Sequence, residues 1–167
     1  PFVIKPNDQG STVGLTIIHD ESEIDAGITE AFEHSNLVMV EEYIHGREIT
    51  VTVLGEKAYP IVEIKPSHEF YDYECKYTPG MSQYICPADI PEELTESIQN
   101  NTEIIFKVLG CDVYARADYL LVENGKYYFL EMNTLPGMTS TSLVPKSVNA
   151  TGMSFEELIK IIIELSL

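Results

Sequence analysis

The chain has 167 residues, a net charge of -17 and 44% hydrophobic residues, with ten tyrosines and six phenylalanines. This composition predicts one folded domain or two small lobes that share a core, and its acidity argues against a nucleic-acid partner and against a basic contact with a membrane. The three cysteines lack metal-binding spacing, and neither a membrane-length apolar run nor a signal peptide is visible, so we expect a cytoplasmic protein with reduced thiols.

Apolar periodicity and turn-forming residues predict an α+β fold in which hairpins are more prominent than β-α-β crossovers. In the first part of the chain, the predicted elements are strands at 2–5 and 15–19, a helix from Asp20 or Ser22 to about 34 and a buried strand at 37–44. A half-buried strand at 47–55 and a strand near 58–64 come next. The rest of the chain is predicted to form a helix over about 91–109, a hairpin within 113–133, a loop to about 152 and a last helix from Ser154. A boundary near His45 divides the chain into a small lobe (1–45) and a large lobe (46–167). Long aperiodic loops tend to be functional, so residues 66–90 are predicted to form a lid.

The hairpin carries the strongest chemical signal, because Asn124-Gly125 stands between two apolar runs. A two-residue loop there places four polar residues on one face in two facing pairs, Asp118 with Glu131 and Arg116 with Asn133, and Phe129 and Tyr127 continue that face towards the turn. Facing carboxylates repel each other. A divalent cation with oxygen ligands, Mg²⁺ or Mn²⁺, is the favoured explanation. The alternatives are a raised pKa on one carboxylate and a solvated hairpin end, and a bulge or a longer loop would shift the register.

Two further segments suit a nucleotide. In VIKPNDQGSTVG, Lys5 ends a strand before a loop of glycines and hydroxyls that can cradle phosphate, although it is neither a P-loop nor a dinucleotide fingerprint and a plain hairpin turn explains it equally well. In EEYIHGRE, a strand ends in two glutamates beside Tyr43 and Ile44. These glutamates either accept hydrogen bonds from a ribose or base, or are simply solvated.

Taken together, the motifs resemble the ATP-grasp ligases, and within them the D-alanine–D-alanine ligase family. The matching segments run in order along essentially the whole chain: KPNDQGSTVG, EEYIHGREIT, FYDYECKYTPG, ARADYLL and EMNTLPGMTSTSLVP. The resemblance implies an ATP-grasp fold of two α+β lobes with mainly antiparallel sheets that grip ATP between them. It also implies two magnesium or manganese ions at the site.

Residue roles follow from the resemblance by motif position. The implied ATP-binding residues are Lys5, Glu41, Glu42, Tyr43, Ile44, Glu48, Phe70, Lys76 and Asn133. The implied metal ligands are Asp118, Glu131 and Asn133, with Glu131 bridging two ions. The implied catalytic residues are Arg116, Ser11, Lys76 and Tyr77, and the implied contacts of the second substrate are Gly137, Ser142 and Leu143.

The implied reaction joins two D-alanines. The carboxylate of the first attacks the γ-phosphate of ATP, and the amine of the second then displaces phosphate from the acyl phosphate. The family pattern also has an N-terminal domain and an earlier ATP lysine, which this sequence lacks. We therefore expect a fragment of about the last half that binds nucleotide weakly and does not ligate alone. Its expected partners are ATP, D-alanine and its own N-terminal domain, and a homodimer is left open.

Two other functions remain open on the sequence. One is a ligase of the same fold that joins D-alanine to D-serine or D-lactate. The other is an acidic metal-binding module without catalysis, whose metal affinity would be indifferent to ATP.

Overall fold

The computed structural model describes residues 1–66, 82–139 and 142–167. Helices combined with antiparallel strands make this an α+β protein, which confirms the predicted fold class. The chain forms two compact units, residues 1–45 with 66–83 and residues 46–65 with 84–167. Among the described residues, no helix has both the length and the apolar character that a membrane span requires.

The smaller unit contains a three-stranded antiparallel sheet with one helix packed on it. Its elements are β1 (Phe2–Pro6), β2 (Thr16–Ile18), a 3-10 turn (Glu21–Glu23), α1 (Ile24–His34) and β3 (Val38–Glu42), and the strand order is β2-β1-β3. Asp20 starts the helical segment as predicted, because its side chain and that of Glu23 cap each other's backbone N–H groups. Ile4, Ile18 and Ala31 form the core.

The prediction that strand 37–44 is buried is wrong. β3 is an edge strand of the described sheet, and its residues are at most half-buried. Val40 is 60% exposed. Only one face of this sheet has a helix packed on it within the described residues, so the apolar run VMV does not lead to burial on both sides.

The larger unit is built on a six-stranded sheet. Its elements are β4 (Arg47–Leu54), β5 (Lys57–Ala58), β6 (Val62–Pro66), β7 (Ser82–Ile85), α2 (Glu92–Val108), β8 (Tyr114–Leu121), β9 (Tyr127–Asn133), α3 (Leu143–Asn149) and α4 (Phe155–Leu165). The strand order is β7-β6-β4-β8-β9, with β5 beside β4. β4 and β8 pair antiparallel along their whole length and form the centre of the sheet.

Helices cover this sheet from both sides, which corrects the prediction of a half-buried β4. On one side, Ile98 of α2 packs against Ile49, Val51 and neighbouring residues. On the other side, Val144 and Leu158 of α3 and α4 pack against Leu54. β4 is therefore buried from Ile49 to Leu54. This span includes Thr50 and Thr52, whose side chains alternate with those facing α2.

α3 was missed by the sequence prediction, which placed these residues in a loop. With seven residues it is too short to show a helical period. Burial of Leu143, Val144 and Val148 holds it in place. α4 begins as predicted at Ser154, where the capping box with Glu157 is present.

The β8–β9 hairpin has the predicted register at Asp118, although its connection and its second strand differ from the prediction. The connection spans residues 122–126, closed by a 2.9 Å hydrogen bond from Val122 N to Lys126 O, and is thus longer than the predicted Asn-Gly loop. Near the turn, Tyr119 pairs with Phe129; a bulge then places Leu130 as an extra residue in β9. Beyond the bulge, Asp118 pairs with Glu131 as predicted.

The rings of Phe129 and Tyr127 therefore lie on the other face from Asp118, contrary to prediction. Both make edge-on contacts with the ring of Tyr119, at centroid distances of 5.5 and 6.0 Å. The longer connection and the bulge each shift the register by one residue, in opposite directions, so their effects cancel at the end of the hairpin that carries Asp118 and Glu131.

Candidate active site

One face of the larger unit's sheet collects polar side chains from three neighbouring strands. Side chains alternate along a strand, so the residues beside Ile49 and Ala117 in sequence point away from α2. These residues are Glu48 and Thr50 on β4, Arg116 and Asp118 on β8, and Glu131 and Asn133 on β9. Arg116 pairs with Asn133, and Asp118 pairs with Glu131, so the predicted facing pairs are confirmed.

Asp118 is the centre of this cluster, and each of its carboxylate oxygens accepts two hydrogen bonds. Oδ1 accepts from Arg116 Nε at 2.8 Å and from Thr50 Oγ1 at 2.7 Å. Oδ2 accepts from Arg116 Nη2 at 2.7 Å and from Asn133 Nδ2 at 3.0 Å. About a fifth of each of the Arg116 and Asp118 side chains is exposed, so the pair is accessible but sheltered. This bidentate geometry fixes the orientation of the guanidinium.

The donor set fits a hard divalent cation. Asp118, Glu131 and Asn133 offer only oxygen ligands, the type that Mg²⁺ and Mn²⁺ prefer. Asn133 Nδ2 also donates to Glu131 Oε1 at 3.1 Å, so one amide NH₂ group donates to both carboxylates. A partial positive charge thus already lies where the two carboxylates converge. A cation bound there would offset the repulsion between the carboxylates more strongly.

Thr50 is a site residue that the sequence prediction missed. Its side chain is buried, and its hydroxyl contacts both Ala117 O at 3.0 Å and Asp118 Oδ1. Thr50 and Asp118 are 68 residues apart, and the pairing of β4 with β8 brings them together. The only local signal was a threonine at a position that alternates with buried apolar residues in REITVTV.

In the smaller unit, Lys5 and Glu41 form an ion pair at 2.5 Å. Both lie on the face of the sheet away from α1, because the helix packs on the side of Ile4 and Val38. Glu42 follows Glu41 along β3 and so faces the opposite side. The structure therefore brings Lys5 together with Glu41 and not with the side chain of Glu42. Tyr43, beyond the strand, has an edge-on ring contact with His19 at 6.2 Å.

The glycine-rich loop of the smaller unit adopts an unusual backbone. Ser11 and Thr12 have φ values of 55° and 63°, the left-handed region that costs a non-glycine residue roughly 1 kcal/mol or more. Thr12 Oγ1 is buried without a hydrogen-bond partner in the described part of the chain. A loop held in this conformation is consistent with the predicted phosphate cradle.

Gly137 and Ser142 lie close together shortly before α3. A Cβ atom on Gly137 would come within 3.0 Å of Ser142 Oγ, which itself accepts from Thr139 N at 3.0 Å. The side chain of Leu143 is buried in the core of the larger unit. Leu143 can therefore offer a substrate only its backbone. Three further predicted site residues, Phe70, Lys76 and Tyr77, and the greater part of the predicted lid lie outside the described residues.

Antiparallel α+β units of this arrangement define the ATP-grasp class, in agreement with the solved structures that the chain resembles. The structure of D-alanine–D-alanine ligase from Bacillus anthracis complexed with ATP has a TM-score of 0.84 and 36% identity, over 99% of this chain and 52% of that one. The structure of the VanG D-Ala:D-Ser ligase from Enterococcus faecalis has a TM-score of 0.87 and 37% identity, over 100% of this chain and 50% of that one.

Sequence comparison narrows the class to one family. The sequence model described as D-ala D-ala ligase C-terminus matches residues 1–164, and the chain belongs to that family. A D-alanine–D-alanine ligase from Syntrophotalea carbinolica is 49% identical over 160 residues, which is 96% of this chain and 52% of the relative. The chain thus spans about half the length of the curated relatives it matches.

Proposed function

We propose that the chain supplies the nucleotide- and metal-binding half of a ligase that joins two D-alanines to D-alanyl-D-alanine, with ATP and through an acyl phosphate. The observation that carries the proposal is the confirmed pairing of Asp118 with Glu131, with Asn133 spanning the two carboxylates. Two opposed carboxylates beside an arginine suit a metal-bound triphosphate. The family relationship supports the same reaction.

In this proposal Asp118, Glu131 and Asn133 hold two Mg²⁺ or Mn²⁺ ions, which when bound offset the negative charge of the phosphates. Lys5 binds ATP phosphates above the Ser11 loop, and Glu41, Glu42, Tyr43 and Ile44 line the adenine pocket. Because Glu42 faces away from Glu41, it contributes through its backbone. Glu48 receives the ribose, and Phe70 and Lys76 complete the nucleotide site.

Arg116 is proposed to stabilise the oxyanion that forms when the second amine attacks the acyl phosphate. Its Nε and Nη2 bonds to Asp118 keep the guanidinium fixed before substrate arrives. Gly137, Ser142 and the backbone of Leu143 bind the carboxylate of the second D-alanine. The part of the predicted lid that precedes β7, including Tyr77, covers the acyl phosphate and excludes water, whereas Ser82–Ile85 form β7 and Ala88 packs against the core of the larger unit.

The half of the relatives that the chain does not span is proposed to complete the first substrate site. The ligase would act in the cytoplasm, where ATP is available, and supply D-alanyl-D-alanine for peptidoglycan precursors. We expect the 167-residue chain alone to bind nucleotide weakly and not to ligate. Equal activity of this chain and of the chain fused to the amino-terminal half of a relative would contradict that expectation.

Calorimetric titration tests the proposal against a metal-binding module without catalysis. A non-hydrolysable ATP analogue should bind in the presence of Mg²⁺, and the affinity for Mg²⁺ should rise when the analogue is present, because the triphosphate completes the ligand shell. Magnesium binding that is the same with and without the analogue would support the module and refute the ligase.

A second candidate, a D-alanine–D-serine ligase, rests on the similarity to the VanG D-Ala:D-Ser ligase, whose TM-score of 0.87 is close to the 0.86 of a D-alanine–D-alanine ligase from Bacillus anthracis. Lys76-Tyr77 and Ser142-Leu143 favour the D-alanine enzyme instead. Competition between second substrates distinguishes them in the fused, active polypeptide. A rate that prefers D-serine, or D-lactate at neutral pH, to D-alanine would overturn our choice.

A further inference from the structure

Arg47 and Glu63 form an ion pair on the α2 side of the larger unit's sheet, on the face opposite Asp118. Arg47 alternates with Glu48 along β4, and Glu63 of β6 lies opposite Ile49, which packs in the core with α2. The Glu63 side chain is only 3% exposed, whereas that of Arg47 is 43% exposed. A carboxylate buried to this degree requires both a counter-ion and hydrogen-bond donors.

A single guanidinium makes three hydrogen bonds here. Arg47 Nε donates to Glu63 Oε1 at 2.9 Å, and Nη2 donates to Glu63 Oε2 at 2.8 Å. Nη2 also donates to the backbone oxygen of Asp89 at 2.9 Å, shortly before α2 begins. The planar fork of arginine suits this bidentate geometry, and a lysine ammonium does not reproduce it.

The three bonded residues lie close to the points where the chain passes between its two compact units. Those passages follow His45, Lys65 and Gln83. Arg47 is the second residue after the first passage, Glu63 lies two residues before Lys65, and Asp89 lies six residues after Gln83. Within the larger unit, the hydrogen bonds of Arg47 therefore connect three segments, those of Arg47, Glu63 and Asp89, and each segment lies near one of these passages.

Arg47 also precedes Glu48, whose side chain lies on the site face of β4 with Thr50. We propose that Arg47 is a positioning residue for nucleotide binding: its bonds to Glu63 and Asp89 hold the start of β4 so that Glu48 is presented to the ribose. This inference rests on the proposed nucleotide site. It assigns Arg47 no contact with substrate, and it predicts an effect on nucleotide affinity that is separable from stability.

Three variants test the inference, with affinity measured for a non-hydrolysable ATP analogue in Mg²⁺. In Arg47→Met, affinity should fall about tenfold, the scale at which supporting residues act on a bound group, and thermal stability should fall because Glu63 is left unpaired. In Arg47→Met/Glu63→Met, apolar side chains replace the buried pair, so stability should recover while affinity remains about tenfold low. Arg47→Lys should lie between wild type and Arg47→Met in affinity.

The matched control is Lys107→Met, which breaks an exposed ion pair with Glu56 in the same unit and should change neither quantity. Recovery of both affinity and stability in the double variant would overturn the inference, because the pair would then have only a structural role. Unchanged affinity in Arg47→Met would also overturn it and leave the nucleotide site standing. Failure of the wild-type chain to bind the analogue would instead refute the proposed function, and the inference with it.

Discussion

Asp118→Asn is the sharpest test of the site, because both oxygens of this carboxylate are already used by two donors each. The substitution removes one negative charge and replaces one oxygen by an NH₂ group. In either orientation the new NH₂ group faces an N–H group of Arg116. Thr50 and Asn133 can adapt, because a hydroxyl and an amide can each turn to accept a hydrogen bond.

The effect on folding should therefore amount to about one charge-assisted hydrogen bond, roughly 1.5–3 kcal/mol. Relief of the repulsion between Asp118 and Glu131 returns about 0.2–1 kcal/mol of this loss. The expected net loss of unfolding free energy is about 1–2 kcal/mol. The pair is also partly exposed, which favours the lower end of that range.

The effect on binding should be larger. A unit charge at 4 Å from another contributes about 4 kcal/mol at an effective dielectric constant of about 20, and a divalent cation doubles that attraction before desolvation offsets most of it. We expect a loss of at least about 2.7 kcal/mol, or roughly 100-fold, in affinity for the nucleotide analogue in Mg²⁺.

Calorimetric titration with the analogue and urea unfolding of the same sample measure the two losses. Glu123→Gln is the matched control, because it removes the same charge from the exposed turn of the same hairpin. It should leave both quantities within error of wild type. A folding loss equal to or greater than the binding loss would refute the reasoning and make Asp118 a structural residue.

Three other outcomes follow from the structure. Deleting Leu130 removes the bulge but keeps Glu131 opposite Asp118, because Leu130 is the residue without a partner across the hairpin, so titration should still detect nucleotide binding in Mg²⁺, as it should for Leu130→Ala; loss of binding in the deletion variant alone would disprove the register argument. Ser154→Ala breaks the capping box of α4 and should lower the unfolding free energy in urea by about 1 kcal/mol without changing affinity; a loss of affinity would show coupling between α4 and the site. Hydrogen bonds from Arg47 hold the pKa of Glu63 below its ordinary value of 4.5. The stability that this carboxylate contributes is therefore present above 4.5 and is lost as the pH falls through the depressed folded value, so between about pH 5 and 3 the melting temperature of wild type should fall more steeply than that of Glu63→Gln; equal slopes would contradict this assignment.

Local sequence signals predicted the hairpin and the ends of most elements. Asn124-Gly125 marked the turn region, the Asp20 and Ser154 caps marked helix starts, and alternation marked β4 and β8 as strands. These signals act between residues that are close along the chain, and so they can be read from one sequence. α3 escaped because its seven residues are held by burial rather than by a period of their own.

Of the candidate site, the sequence alone determined which side chains lie two residues apart on the same strand, Arg116 with Asp118 and Glu131 with Asn133, because the alternation of a strand is a local property. Only the tertiary structure decided that these pairs face each other, since the longer turn and the Leu130 bulge had to cancel. It also brought Thr50 to Asp118 and Arg47 to Glu63. Partners across a sheet are selected by packing and long-range strand pairing, for which a single sequence carries no local mark.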